Sequence, residues 1–406
     1  MSQPSRPSRR ARHPIVIVGN AVITVVLLVA LVTGVGLVVG KNRFEAPGPL
    51  EQDRIVNIPP KLGIKDIAEL LQREGVIDQP WVFMGGVIAL KARDQLKFGE
   101  YQFHRQASLR DVVDTLIEGK VVQHQVTIPE GLTSEQIVAR LLEQDILSGP
   151  VKEIPKEGTL LPETYRFTRG TARDQLLTRM HEAQRRALQQ VWERRAPDLP
   201  IQTPEQLVTL ASIIEKETGR ADERHRVAAV FVNRLRQKMR LDSDPTIIYG
   251  LVGGKGTLGR AIMKSEISQP TPYNTYVING LPPGPIANPG RAALEAAANP
   301  SRTREIYFVA DGTGAHAFAE NFEQHQRNVA RLRQFEQQQR DPLKPPVDAG
   351  PGNAASALAP AGAAAPATPP ASPPPNAPAR PQAPKSKGQA APNAQGAQVP
   401  AASTRQ

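Results

Sequence analysis

The stretch "LVTLASIIEKETGRADERHRVAAVFVNRL" (Leu207 to Leu235) reads as two buried helices and places a carboxyl group, Glu215, among the apolar positions of the first. A carboxyl held away from water shifts toward its neutral form and can then act as an acid near neutral pH. At ~100° per residue, Leu207, Val208, Leu210, Ala211 and Ile214 share one arc, and Glu215 falls inside its edge beside Val208. Lys216 points nearly opposite. Glu217 lies on the other flank, near Ile213, where solvent or an ion pair is easier to reach. Glu215 is therefore either an acid–base group facing a cleft or half of a buried ion pair with Arg220, Arg224 or Arg234.

Three later segments, "LDSDPTIIYG", "PYNTYVINGLPPGPIANPG" and "YFVADGTGAHAF", are dense in Asn, Pro, Gly and Tyr and hold four of the six tyrosines. Flat rings with polar tips and amide side chains on rigid turns suit a groove that binds sugars. The expected substrate contacts are Asp244, Tyr249, Tyr273, Asn274 and His316. Each has a plainer alternative: Asp242 and Asp244 as turn and cap residues before Pro245, His316 as a locally bonded loop residue, and Asn279, Pro283 and Pro289 as loop caps. Asp242 and Asp244 are also the candidates for a second catalytic carboxyl. The seven histidines show no ligand spacing, so no metal is expected. "GLVGGKGTLG" lacks the phosphate-loop spacing and reads as a connector; no cofactor is expected.

The helix bearing Glu215 has a strong start at Thr203-Pro204-Glu205-Gln206, with a Thr cap, Pro in the first turn and Gln three residues on. Gly219 is its expected stop. A second helix follows, with Asp222 and Glu223 in its first turn and Lys238 and Arg240 near its end. Its Val227, Val230, Phe231 and Leu235 are expected to pack on the first.

Upstream, "VNIPPKLGIKDIAELLQREGVI" from Val56 lines up with "VTIPEGLTSEQIVARLLEQDIL" from Val126, and "GEYQFHRQASLRDVVDTL" with "PETYRFTRGTARDQLLTRM". Each copy reads as a strand ending at proline, an amphipathic helix, an alternating strand around Tyr-x-Phe, and another helix. Tyr101, Phe103, Tyr165 and Phe167 alternate as core residues do. The copies serve either as packing platforms or as carbohydrate- or partner-binding modules.

The chain ends are different in kind. Arg6, Arg9, Arg10 and Arg12 precede a run from Ile15 to Gly40 without a charged residue, long enough to span a bilayer. Without a clear cleavage site it reads as a retained anchor, and the basic tip orients it with the chain after Lys41 exported. Asp341 to Gln406 is Ala, Pro, Gln, Ser and Gly without an aromatic residue, a composition expected to stay disordered. Of the net charge of +11, residues 1–43 carry +6 and residues 341–406 carry +3, leaving +2 for the middle. A near-neutral middle argues against a nucleic-acid partner. With no cysteine, neither disulfides nor thiolate chemistry contributes.

"LASIIEKET", "NRL", "MRLDSDPTIIYG", "YNTYVINGLPPGPIANPG", "ALEAAANP" and "YFVADGTGAHAF", in this order, resemble the YceG-like endolytic murein transglycosylases over about residues 15–335. The resemblance implies a membrane-anchored lytic transglycosylase on the periplasmic face that cuts nascent glycan strands and ends their elongation. The first Glu of "EKET", Glu215, matches the family's catalytic acid/base. The sequence departs from the family pattern at Thr159 of "EGTLLPETY", where an aromatic residue is usual, and in its Pro/Ala tail. The implied partners are peptidoglycan glycan strands, cell-wall synthases and the inner membrane.

The expected fold class is α+β. Its parts are a cytoplasmic basic tip (1–14), a single N-terminal transmembrane helix (15–40), a LysM-like α+β module (44–122), a second related module (123–200), a catalytic domain (201–340) and a disordered Pro/Ala-rich tail (341–406). Most glycoside hydrolases need two carboxyls, whereas a lytic transglycosylase can work with one, using the substrate's own hydroxyl as nucleophile. A non-catalytic, membrane-tethered scaffold that binds peptidoglycan or a synthase is the alternative.

Overall fold

The structure, a computed structural model, describes residues 14–340; the basic tip up to His13 and the Pro/Ala-rich tail lie outside the described residues. Helix α1 (Pro14–Glu45) is the uncharged run continued by a polar turn, and Ile17–Glu45 is long and apolar enough to cross a membrane. Its last turn buries Phe44 against Gly86, where any side chain would collide with the ring.

The duplication is visible in the backbone. The first copy runs β1 (Arg54–Ile58), α2 (Ile64–Arg73), α3 (Pro80–Ala89), β2 (Gly99–Phe103), α4 (Leu109–Glu118), and the second β3 (His124–Thr127), α5 (Ser134–Leu142), β4 (Thr164–Phe167), α6 (Arg173–Glu193). Each forms a two-stranded antiparallel ribbon in the same register, Val56 opposite Tyr101 and Val126 opposite Tyr165. In both, the tyrosine hydroxyl donates to the carbonyl four residues earlier, Lys97 at 3.0 Å and Leu161 at 2.7 Å. All four aromatics of the Tyr-x-Phe pairs are buried, as alternation predicts. After the strand-ending proline both copies turn through a left-handed residue, Lys61 at φ 68° and Gly131 at φ 75°. Sequence periodicity did not anticipate α3, which has no counterpart in the second copy. Lacking a single charge, it shows no alternation of polar and apolar faces to detect.

The remaining elements are α7 (Pro204–Glu217), α8 (Arg224–Arg236), α9 (Asp244–Val252), α10 (Lys264–Ile267), α11 (Arg291–Ala298), the hairpin β5 (Tyr307–Ala310) and β6 (His316–Ala319), and α12 (Phe322–Arg340). Thr203 caps α7 by accepting from the Gln206 amide at 3.3 Å, with Pro204 in the first turn. The end of α7 differs from expectation. Thr218 turns extended at φ −143°, and its hydroxyl donates to Glu223 at 2.6 Å, so a side-chain bond stops the helix before Gly219 is reached. Glu223 is the cap of α8, with Asp222 ahead of it. Val227, Val230 and Phe231 are fully buried as predicted, and Leu235 packs at the edge of the same core.

Three apolar cores result. The first lies within the first copy, the second within the second copy, and the third surrounds α7, α8 and α11. Helix α6 serves two of them: Leu176, Leu177 and Met180 fill the second, and Ala187 and Val191 fill the third. A polar clamp adds to this union. Buried Asn288 donates its amide N–H to Leu132 O at 2.9 Å and its side-chain Nδ2 to Leu132 O, Ser134 Oγ and Glu157 Oε1 at 3.0–3.1 Å. Its Oδ1 accepts from the Leu160 amide at 3.0 Å, and its carbonyl accepts from Gly131 N at 3.0 Å. Replacing Asn288 with Ala strands several buried partners at once, so the chain should lose roughly 2–4 kcal/mol of stability, measurable as a lower urea midpoint. An unchanged midpoint would show that the clamp is dispensable.

Candidate active site

Glu215 sits near the end of α7 with its side chain only 5 % exposed. Its Oε2 accepts the Gly290 amide at 2.8 Å. Gly290 caps the N-terminus of α11, so the carboxyl meets the positive end of a helix dipole. The nearest guanidinium, Arg224 Nη2, is 3.9 Å from Oε1, beyond hydrogen-bond reach. Of the three arginines that the sequence offers as partners, Arg220 bonds Asp222 and Arg234 bonds Asp242, while Arg224 forms a long ion pair with Glu215 without a hydrogen bond. Arg224 itself is buried, and its Nε lacks any hydrogen-bond partner among the described residues.

The second copy closes the site from the other side. The turn after β3 brings Gly131 against Glu215, where a Cβ would stand 3.4 Å from Glu215 Cγ. The carboxyl of Glu130 lies over Gly290, in the space any side chain there would need. Lys216 Nζ reaches Gly131 O at 3.4 Å. Burial therefore raises the Glu215 pKa above the ordinary carboxyl range; the Gly290 amide opposes it, the Glu130 charge adds to it, and Arg224 and Lys216 oppose it more weakly.

The expected substrate contacts divide into separate places. Tyr249 and Tyr273 pair with ring centroids 4.8 Å apart, and the Tyr249 hydroxyl donates to Glu157 Oε2 at 3.2 Å. Glu157 also accepts from Ser134 N at 2.6 Å and from Asn288, so hydrogen bonds run from the tyrosines through Asn288 to Gly131 beside Glu215. Burial raises the Glu157 pKa, partly offset by these donors. Asp244 is on the other flank of α7, where it accepts from Tyr276 Oη at 2.7 Å. Next to it, Ser243 Oγ donates to Glu217 Oε1 at 2.5 Å. Asp242 pairs with Arg234 at 2.9 Å, so neither aspartate stands beside Glu215. Asn274 is buried, with Nδ2 donating to the carbonyls of Ile267 and Gln269 at 3.0 and 2.8 Å and Oδ1 accepting from Tyr276 N at 3.0 Å; its amide shapes a loop. His316 Nδ1 lies 2.6 Å from Glu223 Oε1, and its own amide donates to Oε2 at 3.1 Å, tying the β5–β6 hairpin to the start of α8. No cluster of metal-ligating side chains forms among the described residues.

The residues the sequence reading missed are Glu130, Glu157 and Asn288. For Glu130 a signal existed: where the copies align, Pro60-Lys61 stand opposite Glu130-Gly131, a divergence at an otherwise repeated turn. Asn288, in "IANPG", reads as a loop residue because its partners are more than 120 residues away.

Fold and site thus define an α+β protein in which a buried carboxyl with a raised pKa, Glu215, is enclosed between a helical core and a duplicated module. The chain belongs to the YceG-like family, whose model matches residues 56–331. It is similar to the endolytic murein transglycosylase of Bacillus subtilis (strain 168), 27 % identical over 333 residues that cover 73 % of this chain and 90 % of that protein. It is also similar to the endolytic murein transglycosylase of Streptococcus pneumoniae serotype 2 (strain D39), 29 % identical over 324 residues; these cover 68 % of this chain and 57 % of that longer protein. A crystal structure of a yceG-like protein from Listeria monocytogenes matches at 30 % identity over 68 % of this chain and 98 % of its own, with a TM-score of 0.42.

Glu217 provides a test that is independent of activity. The residue is half-buried, but its carboxyl is enclosed, and burial pushes its pKa from 4.5 up to about 7 despite the Ser243 bond. A carboxyl raised in the folded state contributes stability that is complete below its unfolded pKa and is lost as pH rises through the folded one. Glu217→Gln, which keeps an acceptor for Ser243, should remove that decline. Its stability relative to wild type should increase between pH 4.5 and 7.5 in urea unfolding; a difference independent of pH would contradict the assignment.

Proposed function

We propose that this chain is a membrane-anchored lytic transglycosylase that cleaves nascent peptidoglycan glycan strands internally, between N-acetylmuramic acid and N-acetylglucosamine, and so ends their elongation. The carrying observation is Glu215: enclosed, bonded to the Gly290 amide, and too far from the Arg224 guanidinium for a hydrogen bond. Support for the substrate class comes from family membership and from relatives named endolytic murein transglycosylases. Helix α1 supports a single-pass anchor in the inner membrane with the N-terminus cytoplasmic and the LysM-like copies and catalytic domain periplasmic. Cell-wall synthases, which make the nascent strands, are the expected partners.

In the proposed course, neutral Glu215 donates its proton to the glycosidic oxygen as the bond from C1 of N-acetylmuramic acid breaks. The carboxylate so formed is stabilised by the Gly290 amide and the α11 dipole, with the Arg224 guanidinium close enough to attract it. It then takes the proton of the muramic C6 hydroxyl, whose oxygen bonds to C1 and closes a 1,6-anhydro ring. Glu215 ends protonated and no water is consumed. Glu130 is a positioning residue: its charge favours the neutral acid before the reaction. The Tyr249–Tyr273 pair, linked to the Glu215 turn by hydrogen bonds through Glu157 and Asn288, is the proposed aromatic contact for sugar, while Asp244, Asn274 and His316 hold neighbouring loops in place.

The full chain in detergent should convert uncrosslinked glycan strands to fragments ending in anhydro-muramic acid, read by mass spectrometry; reducing ends would mean a hydrolase. Glu215→Gln should lower the rate at least ~10²-fold, the usual contribution of general acid–base catalysis. Unchanged product formation in that variant would instead favour the non-catalytic scaffold.

Glu130→Gln removes a negative charge beside Glu215 and should lower its pKa. Activity that requires the protonated acid should then fall off at lower pH than in wild type. A pH–rate profile with an unmoved alkaline limb would exclude this role for Glu130, and Glu130→Asp should restore much of the original profile.

A further inference from the structure

Helix α3 is the element that the first copy has and the second lacks. Its sequence, PWVFMGGVIA, carries no charge. Phe83 and Val87 enter the core of the module, and Gly86 lies against Phe44 of α1. At ~100° per residue, Ile88, Trp81, Gly85 and Ala89 form one contiguous exposed arc away from the core, with Met84 at its edge packed against the core. Trp81 is 80 % exposed and Ile88 65 % exposed on that arc. A ten-residue helix is too short to cross a bilayer, so this apolar arc has no use as a span.

Its position suggests what covers it. The apolar run of α1 ends at Gly40, and Phe44, the residue packed on α3, follows four residues later, ~6 Å along a helix axis. If α1 spans the bilayer, as proposed above, α3 is held at headgroup depth. Tryptophan is favoured at that depth, and an apolar helix face lying in the plane is how interfacial helices bind. The neighbouring chain has a basic excess: Lys41 and Arg43 in the last turns of α1 and Lys91, Arg93 and Lys97 after α3 outnumber the acids Glu45, Asp78 and Asp94. Positive charge beside an apolar arc fits anionic lipid headgroups better than a neutral protein surface.

We infer that the α3 face of the first copy, led by Trp81 and Ile88, docks on the outer surface of the same membrane that α1 crosses. The copy is thereby a foot that keeps the rest of the protein at a set height, and not only a packing platform. This rests on the anchor reading, and the two are tested separately.

The chain has two tryptophans, so Trp192→Phe leaves Trp81 as the one reporter. The full-length variant is reconstituted into vesicles containing anionic phosphatidylglycerol, with flotation and carbonate extraction to report insertion of α1. Bromine-labelled acyl chains should remove most of the Trp81 emission, more strongly when the bromine is near the headgroup than when it is deep, and aqueous acrylamide should have little effect. A chain that floats and resists carbonate but leaves Trp81 open to acrylamide and untouched by bromolipid overturns the docking and leaves the anchor intact. Such a face would be free for a protein partner. A chain that does not float overturns both. Should Trp192→Phe fold poorly, the chain's lack of cysteine allows a single nitroxide at Ile88→Cys. It should be more accessible to oxygen than to a water-soluble nickel chelate, and the reverse ratio overturns the docking.

Discussion

The bond from the Gly290 amide to Glu215 is the contact on which the rest of the site depends. It fixes one oxygen of a buried carboxyl at the N-terminus of α11 and leaves the other facing Arg224 across a gap too wide for a hydrogen bond. The amide is in place because the loop before it is held at two points. Ile286 N donates to Ser212 Oγ on α7 at 3.0 Å, and Asn288 is bonded into the second copy. A flexible loop would let the amide leave, and an enclosed carboxyl without a donor would turn toward the arginine. The duplicated module is thus part of what aims the acid.

The same helix carries two carboxyls with raised pKa values on opposite flanks, and their surroundings separate their roles. Glu217 has a hydroxyl donor in Ser243, a negative neighbour in Asp244 and a more weakly felt cation in Arg234. Glu215 has an amide donor, a second carboxyl brought by another module, and a cation held in reserve. An interior hydrogen bond strengthens as water is excluded, and so does the penalty for an unmet charge.

Much of this was legible in the sequence, for reasons that can be named. The Thr-Pro-x-Gln start of α7, the burial of Val227, Val230 and Phe231 and the alternation of Tyr101 with Phe103 rest on local periodicity, and each appears in the structure. The duplicated ribbons follow from the aligned Val and Tyr positions, and their shared register adds a detail that spacing alone does not contain. The long-range polar contacts were not legible. Glu130, Glu157 and Asn288 come from three distant segments, and nothing local marks them as neighbours. Asn274 and His316 were singled out for their residue types, yet their bonds to Gln269 and Glu223 give them work inside the walls. Helix α3 escaped notice because uniform apolarity has no period.

Helix α6 passes through two apolar cores, its first half completing one and its second half the other. The third core therefore has no self-sufficient boundary at its start: trimming the chain back to Ile201 would delete Ala187 and Val191 from its wall along with the turn that carries Glu130. Recombination that exchanges the second copy for an unrelated binding module would meet the same obstacle. The second copy and the third core are thus one unit for exchange, because neither keeps its wall without the other.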